Sequence, residues 1–165
     1  MAENIIRRLV YGKPVRRILV IGSTNIDASP VMEYLLRVEA AGKGMTIESA
    51  GLSAADGLSM SPRALEFLSG RGMSREELAA FKSRKLSNEL AGDFELLLVT
   101  SMAVKGFLLF LYPDMTIYTF SEYALIGSDV GEMGSADDAG YVRIGEEMVE
   151  MARRIVARAI KNTTF

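Results

Sequence analysis

The chain has 165 residues, 49% of them hydrophobic, and a formal charge of −2, which suits one globular domain with its own core and, without a sustained basic stripe, gives no reason to expect a nucleic-acid partner. It contains neither cysteine nor histidine. Disulfides, thiolate metal sites and thiol nucleophiles are therefore excluded, and the commonest metal ligand and general base is absent as well.

Residues 1–16 form an N-terminal extension ahead of a domain spanning 17–165. Ile5, Ile6, Leu9 and Val10 fall at helical spacing with Arg7 and Arg8 opposite, and Gly12 and Pro14 close the segment. This short amphipathic helix either packs on its own domain or docks as an arm on a partner or second subunit. The first eight residues lack the charged, apolar, then small-residue layout of a secretory signal, so the protein is expected in the cytoplasm.

Arg17 to Ile21 is an apolar, β-branched run and reads as a buried strand. A small polar loop, Gly22 to Asp27, follows, and Ser29-Pro30 marks a helix start with serine as N-cap and proline in the first turn. Amides in such a strand-loop-helix turn converge at the positive end of the helix, a natural anion site. The helix runs on over Val31 to Ala41 and stops at Gly42 and Gly44. Met45 to Ser49 is the second strand, and Gly51 to Met60 a small-residue loop near the mouth of the site. Pro62 to Gly70 is the next helix, and Ser74-x-x-Glu77 a capping box for a short one.

Phe94 to Thr100 is a strand covered on both faces, Met102 to Leu111 is helical, and Met115 to Phe120 is the fourth strand. The longest apolar stretch, Phe107 to Tyr112, is far below the ~18 residues of a membrane span and reads most simply as a buried helix end, with a dimer contact as the alternative. The last helix, Tyr141 to Ile160, carries Ile144, Met148, Met151, Ile155 and Ala159 as a core stripe, with acids early and arginines late. Strands alternating with helices give an α/β fold: a four-stranded, parallel, doubly wound sheet between helical layers, with its site at the carboxyl ends of the strands. The ten methionines fall mostly on core faces. The acids Asp129, Glu132, Asp137 and Asp138 lack a calcium-loop spacing and read as a solvated loop, so no metal site is expected.

The segment Gly22-Ser-Thr-Asn-Ile-Asp-Ala-Ser-Pro30 resembles the phosphate-binding loop of the low-molecular-weight protein tyrosine phosphatases, a family that includes arginine-phosphate phosphatases and arsenate reductases. Its signature is a cysteine, five intervening residues, an arginine, then Ser-Pro. Asn25, Ile26, Ser29 and Pro30 match, but Gly22 stands at the cysteine and Ala28 at the arginine, with Asp27 where a second cysteine is frequent. Glu48-Ser-Ala-Gly51, Ser61-Pro62, Phe94 to Thr100 and Thr119 to Tyr123 continue the resemblance in order, from Arg17 to Ile160. At the Asp-Pro pair that carries the family's general acid, this chain has Glu132-Met133. The resemblance implies a three-layer sandwich of the low-molecular-weight phosphatase kind.

It also implies a chemistry that this chain lacks. The family reaction needs a thiolate on phosphorus, an arginine on the equatorial oxygens and a carboxylic acid for the leaving group. Gly22 has no side chain to attack with, and Ala28 cannot grip. Ser23 and Thr24 are hydroxyls without a histidine to activate them. Losing the nucleophile of a covalent enzyme removes on the order of a millionfold in rate. The expectation is a pseudophosphatase with a binding or regulatory role, without cofactor or metal, acting through a protein partner or as a homo-oligomer. The loop Gly22–Ser29 is then either plugged from within by Asp27, Ser23 or Thr24, or open to water or a weakly held anion. The rival expectation is an enzyme or small-anion binder that reuses the cleft with Ser23, Asp27 and Glu132.

Overall fold

A computed structural model describes residues 15–163; the N-terminal helix expected over Ile5 to Val10 lies outside the described residues. Four strands, β1 (Arg17–Gly22), β2 (Thr46–Gly51), β3 (Leu96–Val99) and β4 (Ile117–Thr119), pair in the order β2-β1-β3-β4, all parallel. The helices are α1 (Ala28–Glu39), α2 (Pro62–Ser69), α3 (Arg75–Ala79), α4 (Asn88–Gly92), α5 (Met102–Leu111), α6 (Phe120–Ala124) and α7 (Asp138–Thr163).

Alternation along β1 and β3 divides the interior in two. Ile18, Val20, Leu96 and Leu98 face a large core with α1, α2, α6 and α7. Leu19, Ile21, Leu97 and Val99 face a smaller one with Leu108 of α5. Strands covered on both faces are apolar throughout, which is why β3 reads as an unbroken run. The stripe expected on α7 is buried at all five positions.

The four parallel strands and two helical layers agree with the sequence reading; several boundaries and one burial assignment do not. Helix α1 begins at Ala28 with Asp27 in the cap position, and Asp27 makes no capping bond. Ser29 is not the N-cap: its hydroxyl is buried inside the first turn. Two short helices, α4 and α6, were not expected, because each is about one turn and carries no periodicity. Both are held by caps, Ser87 on Leu90 N–H and a reciprocal capping box of Thr119 with Glu122. The expected buried helix end at Phe107 to Tyr112 is instead mostly exposed, with Leu108 alone of its apolar residues in the core.

Candidate functional site

Strand β1 ends at Gly22, and the chain winds from it toward β2 on one side and later toward β3 on the other. The loop Gly22 to Ala28 therefore sits at the switch in strand order, above the carboxyl ends of the strands. Two glycines make this turn possible. Gly51, at the end of the neighbouring strand, passes so close that a Cβ there would lie 2.6 Å from the Ser23 carbonyl and 3.0 Å from Asn25 Cβ. The contact is sealed by backbone bonds from Leu52 N–H to the Gly22 carbonyl and from Ser53 N–H to the Ser23 carbonyl.

Asn25 holds the loop in shape. Its backbone is left-handed, φ 59°, a conformation that asparagine tolerates better than most residues. The side chain is buried and fully bonded. Its Nδ2 donates to Ser29 Oγ at 3.0 Å and to Ser49 Oγ at 2.9 Å, and its Oδ1 accepts from the Arg84 amide at 2.9 Å. One side chain thus ties together the loop, the start of α1, strand β2 and the segment after α3. Arg84 completes the frame, with Nε on the Ser49 carbonyl and an ion pair to Glu48 at 3.0 Å.

Gly22 sits at the bottom of the loop with space for nothing more. A Cβ there would lie 2.9 Å from Ser29 Oγ and 3.2 Å from Ser29 Cβ. Ser23 and Thr24 are exposed. Among the described residues, Asp27 makes no side-chain bond to the amides of the first turn of α1. Asp27 turns away from the amides: its Oδ1 accepts from Ser61 Oγ at 2.5 Å and from the Tyr141 hydroxyl at 2.9 Å. Burial pushes the Tyr141 hydroxyl far above its ordinary range, the Asp27 charge beside it adds to the shift, and Tyr141 stays a donor at any ordinary pH.

The residues after α6 complete the cleft. Val130 and Met133 are buried and anchor this stretch to the core. Glu132, between them, is exposed. Asp129 Oδ2 accepts from the Met102 amide at 2.9 Å, at the N-terminus of α5. Arg63 fastens the stretch from below, donating to the carbonyls of Ala136 at 2.7 Å and Gly134 at 3.0 Å while its guanidinium lies 4.3 Å from the centre of the Tyr141 ring. Gly134 then packs against the loop: its Cβ position lies 3.1 Å from Asp27 Oδ2 and 3.7 Å from Glu132 Oε1.

The result is a cleft of about 550 Å³. Gly22, Ser23, Thr24, Asn25, Asp27, Ala28 and Ser29 line it together with Thr100, Ser101, Val104 and the stretch Asp129 to Gly134. Of the loop residues singled out in the sequence, Ile26 alone does not line the cleft; its carbonyl accepts from the Ser61 amide. The charged lining is Asp27, Asp129 and Glu132, with no lysine or arginine. Among the described residues no group of acids is arranged to hold a metal ion. Sequence reasoning did not identify Arg84, Arg63, Ser61 and Tyr141 as parts of the site. Ser61-Pro62 and Tyr141 were legible as helix starts, but nothing local says that both hydroxyls converge on Asp27.

Comparison with known proteins places this arrangement. Residues 17–160 match the family model described as low molecular weight phosphotyrosine protein phosphatase. Among solved structures, the YwlE arginine phosphatase of Geobacillus stearothermophilus superposes with a TM-score of 0.78 at 22% identity, over 87% of this chain and 92% of its own. A cysteine-to-serine YwlE mutant with a phosphorylated active-site serine also gives 0.78, at 23% identity over 88% and 95%. The tyrosine phosphatase Wzb of Escherichia coli K30, in complex with sulphate, gives 0.76 at 22% identity over 85% and 95%. No curated protein sequence matches the chain. Fold, strand order and a family match over most of its length agree: this chain belongs to the low-molecular-weight phosphotyrosine protein phosphatase family.

Proposed function

We propose that the protein is a non-catalytic member of its family, a pseudophosphatase that binds or regulates rather than hydrolyses. The observation that carries this reading is the replacement of every reacting group at once. Gly22 stands at the nucleophile and Ala28 at the phosphate-gripping arginine, in a chain with no cysteine or histidine. The cleft they open onto is lined by three carboxylates and no cation. Near a phosphate, each carboxylate raises the energy of the bound state instead of lowering it, and no cationic side chain in the lining offsets that repulsion. A protein partner or a second copy, rather than a small anion, is the ligand class this lining favours.

The rival reading, an enzyme using Ser23, Asp27 and Glu132, draws less support. A serine nucleophile needs a base within hydrogen-bond reach, and Asp27 spends one carboxylate oxygen on Ser61 and Tyr141. Hydrolysis of an aryl phosphate and of phosphoarginine, followed at high protein concentration, separates the two. The expected result is no turnover above a buffer blank. Turnover that disappears in Ser23→Ala or Asp27→Asn would establish the rival.

A further inference from the structure

Helix α5 is apolar on both its sides. Val104 and Leu108 face the smaller core. On the opposite side Ala103, Gly106 and Phe110 run down the middle, with Met102 and Phe107 beside them, and all are exposed. Helices of this composition belong in an interior, yet Met102, Phe107, Leu109, Phe110 and Leu111 are 53%, 53%, 40%, 85% and 47% exposed. Large side chains present roughly 150–250 Å² each when fully open, so these five leave on the order of 500 Å² of apolar surface, as much as monomers ordinarily tolerate.

We propose that α5 pairs with the α5 of a second copy of this chain, antiparallel about a two-fold axis, with Phe110 of each seated over Gly106 of the partner subunit. Three observations favour this occupant. The first is area: two such faces together bury on the order of 1,000 Å², the lower bound of a specific interface and the size of a weak, reversible one. The second is charge. Lys105 is the helix's one charged residue, and Glu122 of the same chain neutralises it at 2.9 Å. A two-fold axis sets every residue near the same residue of its partner, which repels wherever a free charge lies on the face. Here α5 presents none. The third is shape. A Cβ on Gly106 would meet nothing within 4 Å, so its own fold has no use for a glycine that weakens the helix. It leaves a notch one turn before the protruding Phe110, and reversing the direction of a second helix brings each notch under a ridge.

The pairing does not depend on the pseudophosphatase reading, and its test reads mass rather than hydrolysis. In sedimentation of the full chain, the weight-average mass should rise from that of one chain to that of two between micromolar and millimolar concentration, and stop there. Phe107→Ser with Phe110→Ser should hold it at one chain throughout. Gly106→Gln restores a good helix former, so the single chain should melt no lower than the parent while pairing weakens about tenfold, because the notch is filled. One chain at every concentration, growth beyond two, or pairing that is unchanged in these variants would each overturn the proposal.

Discussion

Asn25 concentrates more of the site's order than any other residue. It combines a left-handed backbone with three hydrogen bonds from a buried side chain. Asn25→Ala leaves the Arg84 amide without its acceptor and forces alanine into a region it avoids, a combined loss of about 3 kcal/mol. Asn25→Gly loses the same bonds without the backbone strain, so its denaturant midpoint should lie between those of the alanine variant and the parent, recovering about 1 kcal/mol. Equal midpoints for the two variants would show that the strain contributes nothing. Gly22 presents the opposite case, a residue whose importance lies in the atoms it lacks. Gly22→Ala drives a methyl group to within 2.9 Å of Ser29 Oγ, in a site whose other ligand is Asn25. Overpacking of this kind costs about 1–3 kcal/mol. Measured in a Ser29→Ala background, the same substitution should be less destabilising, and additive effects in that cycle would refute the contact. A cysteine placed at this position meets the same obstacle unless Ser29 shifts as well.

At the scale of elements, helix α1 carries a buried acid on its core side. Glu33 is buried and pairs with Arg37 at 3.2 Å. Burial raises its pKa above the ordinary 4.5, and Arg37 only partly offsets the shift. Between those two values the folded chain holds a proton that the unfolded chain has released. Stability therefore falls as pH rises from 4.5 through that window. Glu33→Gln removes this titration, and its unfolding free energy by urea should decline less over the same pH range than that of the parent. Parallel profiles would show that Glu33 is not the titrating group. Helix α5 is the element whose reading from sequence went wrong. Its apolar run implies burial by composition, and the fold buries Leu108 fully while Val104 and Tyr112 are only partly covered. Hydrophobicity states what a segment needs, while topology determines whether a neighbour exists to meet that need.

At the scale of the molecule, the cleft beside the β1 loop has acids as its only charged lining. Asp27, Asp129 and Glu132 come from two distant stretches of chain and meet only because the residues after α6 fold over the β1 loop. Inorganic phosphate at millimolar concentration should leave the melting temperature where sodium chloride of equal ionic strength leaves it. A variant combining Ala28→Arg, Asp129→Asn and Glu132→Gln should gain a concentration-dependent rise, since a ligand at a hundred times its Kd adds about 2.7 kcal/mol. A rise in the parent protein would show that the loop amides outweigh the carboxylates. No helix among the described residues is long and apolar enough to cross a membrane.

Composition and the order of motifs by themselves determined the fold and the absence of any thiol or imidazole. Periodicity dictates which faces must be buried, and a side chain that is absent from the sequence is absent from every conformation. The tertiary structure decided where the remaining groups point. Asp27 lies in the loop and was one of three side chains read as able to fill it, yet Ser61 and Tyr141, from 34 and 114 residues away, hold its carboxylate. A carboxylate follows the donors that reach it first, and only packing brings such distant donors within reach.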